Sequence, residues 1–107
     1  MTYTLHFLPE VEGDVIAGYV WYEGKSPGLG EEFLRIFYAC AGELPRNPLL
    51  YPKVHDEFRR RLIRRFPYAI YFIVEDDRIV VFGLFHCARD PRAIKGTLRD
   101  RQESDRL

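Results

Sequence analysis

The chain has 107 residues, 47% hydrophobic and 15% aromatic, enough for one small domain with a real core. Sixteen basic and sixteen acidic residues cancel to a formal net charge of +0, which excludes a protein that coats nucleic acid through bulk charge but leaves room for a local basic patch. No apolar run approaches the roughly 18 residues of a membrane span, and no basic segment leads into an apolar stretch at the start, so a soluble cytoplasmic domain without a signal peptide is expected.

Residues 3–8 alternate weakly and predict a short strand. Pro9 suits the first position of a helix, where its missing N–H would be unpaired anyway. Glu10, Glu12 and Asp14 then place negative charge near the positive end of that helix. Val11, Val15, Tyr19 and Tyr22 recur on one helical face, and Ile16 and Val20 widen the stripe. The segment GKSPGLG, residues 24–30, breaks the pattern. It lacks the spacing of a phosphate loop and joins two helices instead of following a strand. A second helix follows, with Phe33, Leu34, Phe37, Tyr38, Ala41 and Leu44 on one face, and PRNP at residues 45–48 closes it. The two helices predict an antiparallel hairpin. Tyr19, Trp21, Phe33 and Phe37 have helical spacing and are expected in its core, not on a platform for stacking bases.

Residues 49–56 read as a loop. From Phe58 the period becomes two: Phe58, Leu62 and Phe66 share one parity, and Arg59, Arg61, Ile63 and Arg65 the other. Pro67 marks a turn or an edge. Residues 68–75 form a second strand of aromatic and β-branched residues, EDDR at 75–78 a tight turn, and residues 79–86 a third strand. That third strand is apolar from Ile79 to Phe85, so it is expected to be central and buried on both faces. The order β-α-α-β-β-β predicts an α+β fold of two layers, a helical hairpin packed on a largely antiparallel sheet of three to four strands, with the place of the first strand left open. Residues 1–91 form the single domain, and the charged residues 92–107 a tail or short helix. Cys40 and Cys87 follow apolar runs and form no C-x-x-C pair, which predicts buried free thiols in a reducing compartment.

Four segments carry a resemblance. They are the helix turn from Tyr22 through PGLGEEFL to Leu34, NPLLYP at 47–52, RRRLIRRFPYAIYF at 59–72 and FHCARDP at 85–91. In this order and at this length the sequence resembles the RelE/ParE superfamily of toxins from type II toxin–antitoxin systems, and is most similar to its ParE-like branch of plasmid stabilisation toxins. The resemblance implies a growth-inhibiting toxin held inactive in a hetero-oligomer with a cognate antitoxin encoded beside it, or self-associated as a homodimer when alone. It implies no cofactor, no metal and no membrane partner. ParE-like members are reported to poison DNA gyrase, and RelE-like members cut messenger RNA on the ribosome.

Cleavage of RNA through its own 2′-oxygen needs a base, an acid and cations for the charge on phosphorus, but no metal. RelE-like ribonucleases place an arginine early in the strand that corresponds to PYAIYF. Aligned on Tyr71, that position is Tyr68, and a neutral phenol does not replace a permanent cation. Arg89 falls near a second family arginine, and His86 falls where some members have a catalytic histidine. Cys87 stands where a tyrosine usually follows. His86 and Arg89 are therefore the catalytic candidates if the chain is a ribonuclease, although a histidine ending an apolar strand also fits a rim residue that anchors the next turn. His6, His55 and His86 are too far apart in sequence to form a metal-ligand motif.

The run from Arg59 to Arg65 holds five arginines in seven residues. It can be a solvated edge that discourages aggregation, a phosphate-binding surface or a docking surface for carboxylates of an antitoxin. With the Phe58, Leu62 and Phe66 parity expected under the helices, Arg59, Arg61 and Arg65 are expected on the open face beside Arg89, as the antitoxin- or target-binding set. The sequence is thus read as a toxin that binds a target protein, with a ribosome-dependent endoribonuclease, or a decayed toxin retaining only antitoxin binding, as the alternatives.

Overall fold

The computed structural model describes residues 2–105. The elements follow in the order β1 (Thr4–Phe7), α1 (Glu10–Lys25), α2 (Leu29–Glu43), two single 3-10 turns (Leu44–Arg46 and Pro48–Leu50), β2 (Lys53–His55), β3 (Phe58–Leu62), β4 (Tyr68–Glu75), β5 (Arg78–His86) and α3 (Pro91–Asp105). The α+β class matches the expected one. The strands form one sheet in the order β1-β5-β4-β3-β2, five strands where three to four were expected. The additional strand is β2, a three-residue piece inside the segment read as a loop. β1 lies at one edge, parallel to β5, and the other pairings are antiparallel. As expected for a central strand, β5 is buried from Ile79 to Phe85.

The helical hairpin covers one face of the sheet. Its turn is built by Glu23, whose carboxylate accepts the N–H groups of Gly28 at 3.0 Å and Gly30 at 2.9 Å. Gly28 sits at φ 87°, in the left-handed region that a residue with a Cβ disfavours. The two helices approach closely at Gly18, where a Cβ would lie 2.5 Å from the ring of Phe33. The buried stripe is Val11, Val15 and Gly18 on α1, facing Phe33, Phe37, Cys40 and Ala41 on α2. It is narrower than the sequence suggested. Ile16, Val20, Trp21 and Tyr38 are each more than half exposed along the outside of the hairpin. At 100° per residue they fall beyond the stripe that faces the sheet.

The opposite face of the sheet is covered in part by α3. The C-terminal segment is a 15-residue helix, and its buried Ile94 and Leu98 join the main core. Its sequence is so charged that only this i, i+4 pair marks its inner face. A second anchor is electrostatic. Arg101 of α3 donates to both carboxylate oxygens of Asp14 on α1, at 2.7 and 2.9 Å, and to the carbonyl of Phe82 at 2.8 Å. Asp14 in turn accepts the N–H of Leu84 at 3.1 Å. The cause lies in the unequal strand lengths. The pairing of β1 with β5 stops at Phe7 and Val81, so the far half of β5 has an open edge. The Asp14–Arg101 pair supplies the acceptor and donor that a longer first strand would have supplied.

Candidate functional site

The arginine run occupies β3 and the turn that follows it, and its two faces are the reverse of those expected. Arg59 donates to the carbonyls of Leu49 and Tyr51, at 3.3 and 2.7 Å. Arg61 donates to the carbonyl of Cys40 at 2.8 Å and pairs with Glu43 at 2.7 Å. Both guanidinium groups therefore lie on the side of the hairpin and the 3-10 turns, not on an open face. Phe58 and Arg60 point the other way. Phe58 is buried against Phe82, and Arg60 lines a pocket with residues of α3. The expectation failed because it assumed one apolar face. With helices on both sides of the sheet, Phe58 finds its cover under α3, and the hairpin side of β3 is free to take arginines that satisfy the last carbonyls and the acid at the end of α2.

Strand parity also ends earlier than the sequence suggested. β3 stops at Leu62, which is exposed, and residues 63–67 turn the chain, with Arg65 at φ 72°. Arg64 donates to both oxygens of Glu43 at 3.2 Å. Arg65 pairs with Glu32 of α2. Hydrogen bonds from Arg64 and Arg61 hold the Glu43 carboxyl well below its ordinary 4.5, at about 2. The run is thus largely consumed in fastening the β3–β4 turn to α2.

The candidates from the last strand meet elsewhere. Tyr68, Leu84, Phe85, His86 and Arg89 line a groove with Asp14, Gly18 and Trp21 of α1. His86 is exposed, and its Nδ1 accepts the N–H of Ala88 at 3.0 Å. That bond requires an unprotonated Nδ1, so the neutral ring carries its proton on Nε2. In this arrangement the neutral ring can donate a hydrogen bond from Nε2, but it cannot accept one there. Its ring stands edge-on to Tyr68, 5.2 Å between centroids. Burial, and then the neighbouring Tyr22, push the Tyr68 phenol above its ordinary 10.0. Tyr68 therefore stays neutral and offers a hydrogen bond, not a charge. Arg89 lies over the ring of Phe85, 4.8 Å to its centroid, and donates to Thr97 of α3 at 3.1 Å. Arg89 thus sits beside His86, while Arg59, Arg61 and Arg65 lie at the α2 corner. Cys40 is buried as expected, but Cys87, one residue past the end of β5, is exposed. Among the described residues no group of three His, Cys, Asp or Glu side chains could hold a metal ion, and no helix is long and apolar enough to cross a membrane. Sequence reasoning missed Arg60, Lys95 and Tyr71, which share a pocket under α3. The missing signal was the docking on the sheet of a segment read only as a tail or short helix.

A five-stranded sheet with one parallel edge strand, a helical hairpin on one face and a third helix on the other defines the architectural class. No family model matches the sequence, and no curated protein matches it either. Solved structures do. A chain of the chromosomal ParDE TA system from P. aeruginosa matches with a TM-score of 0.73 at 16% identity, over 79% of this chain and 96% of that one. A chain of the toxin–antitoxin complex RelBE2 from Mycobacterium tuberculosis matches with a TM-score of 0.54 at 18% identity, over 80% of this chain and 92% of that one. The chain shares its fold with these two chains.

Proposed function

We propose that the protein is the toxin of a type II toxin–antitoxin module, neutralised by a cognate antitoxin, and that it acts by binding a target protein such as DNA gyrase. The observation that carries this reading is the likeness to nearly the whole of a chain from a ParDE TA system. Two features of the surface support binding over turnover. Ile16, Val20, Trp21 and Tyr38 leave apolar area uncovered on the hairpin, of the kind that a partner or a second copy of the chain covers. Tyr68 stands where a RelE-like ribonuclease would carry a permanent cation, and burial keeps its phenol neutral. In this reading Arg65 and Arg89 offer exposed guanidinium groups to the antitoxin or target, and Arg59 and Arg61 hold the adjoining surface in shape. Co-purification with the polypeptide encoded beside it, and inhibition of gyrase supercoiling by the free chain, test the two halves of the proposal.

A ribosome-dependent messenger RNA endoribonuclease is the second reading. It is favoured by one observation, that Tyr68, His86 and Arg89 line a common groove. Primer extension on cellular messenger RNA after induction separates the two, since only the ribonuclease leaves new 5′ ends.

A further inference from the structure

Arg60, Arg89 and Lys95 line one pocket between the sheet and α3, of about 110 Å³. No Asp or Glu lines it. Elsewhere Arg61, Arg64, Arg65 and Arg101 each have a carboxylate partner. Among the described residues, neither Arg60 nor Lys95 has one, and Arg89 reaches only the hydroxyl of Thr97. A second observation points the same way. Tyr71 is only 6% exposed and lines the pocket, and its hydroxyl has no partner among the described residues. It is not a sealed, unsatisfied atom, so it opens into the pocket. A buried phenol without a protein partner, beside three cations without acids, forms a site that lacks an acceptor.

We propose that this pocket receives a carboxylate carried on a short apolar body, as at the chain end or an acidic side chain of a partner polypeptide. The size supports one group and not a nucleotide, because small-molecule sites usually enclose roughly 300–1,000 Å³. The walls support a peptide over an RNA backbone. Val54, Pro91, Ile94 and Leu98 surround the cations with apolar surface, against which ribose hydroxyls would lose their hydrogen bonds. A carboxylate accepts from the Tyr71 hydroxyl and from a guanidinium or ammonium group at once, while its alkyl stem packs on Val54 and Ile94.

The test is a titration of the full chain, followed by backbone amide NMR, with 4-methylpentanoate, its neutral amide 4-methylpentanamide, inorganic phosphate and hexauridylate. The acid is expected to shift the amides of Tyr71, Cys87 and Lys95 and to saturate. The neutral amide and phosphate should bind at least about tenfold more weakly, because each lacks either the charge or the apolar stem. Lys95→Gln and Tyr71→Phe should each weaken the acid at least about threefold, and Arg35→Gln, on the far helix, should leave it unchanged. Equal binding of acid and amide would reduce the site to an apolar cavity and overturn the proposal. Tighter binding of phosphate or hexauridylate than of the acid would overturn it in favour of a nucleic-acid contact. Both outcomes are independent of whether the chain is a toxin.

Discussion

Arg101 grips Asp14 through both carboxylate oxygens, at 2.7 and 2.9 Å, although the two residues lie 87 positions apart. The pair joins α3 to α1 and closes the open edge of β5 through the Phe82 carbonyl and the Leu84 N–H. Both side chains are more than four-fifths buried. Removing one partner strands the other and one backbone group, the Leu84 N–H without Asp14 or the Phe82 carbonyl without Arg101. Asp14→Ala and Arg101→Ala should each cost about 2–4 kcal/mol in urea unfolding. Replacing the two together by Leu and Met should cost less than the sum of the single changes, because no buried charge is then left alone.

Gly18→Ala sets two effects against each other. Alanine favours a helix over glycine by about 1 kcal/mol. Its Cβ would however meet the fully buried Phe33 ring at 2.5 Å, which overpacks the hairpin by about 1–3 kcal/mol. The clash should win, with a lower thermal midpoint. Gly13→Ala, where a Cβ meets nothing within 4 Å, should raise it slightly.

The arginine run divides into structural and exposed members. The Arg61 side chain is 10% exposed and serves both Cys40 and Glu43, so Arg61→Ala should lose about 1–3 kcal/mol of stability. Arg65 is more than half exposed, and its pair with Glu32 should contribute less than about 1 kcal/mol. Equal losses in chemical unfolding would mean that the corner is not organised around Glu43.

Glu43 also predicts a pH dependence. Its carboxyl is depressed in the folded chain from 4.5 to about 2. The stabilisation is therefore fully present above pH 4.5 and is lost as pH falls towards 2. Denaturation midpoints of the native chain should fall across that window more steeply than those of Glu43→Gln, and the two curves should converge near its acid end.

The same particulars show what the sequence could and could not disclose. Val11 and Val15 against Phe33 and Phe37 made the hairpin legible, and the unbroken apolar run of β5 announced a strand covered on both sides. β2 was not legible because three residues are too few to show a period. α3 left only Ile94 and Leu98 as a trace, and without it the second covered face was invisible. That omission inverted the arginine assignment, since Phe58 was given to the wrong layer. It also hid the pocket, whose residues come from β2, β3, β4, the turn after β5 and α3 and share no local pattern. His86 and Arg89, by contrast, lie together in the groove because only two residues separate them at the end of β5.

The most direct measurement of the central claim is the count of viable bacteria after induction of this chain alone and together with the adjacent reading frame. The account predicts that viable counts fall by orders of magnitude with the chain alone and are restored by co-expression. Unchanged counts with abundant folded chain would contradict a toxin and leave a protein that only binds its partner.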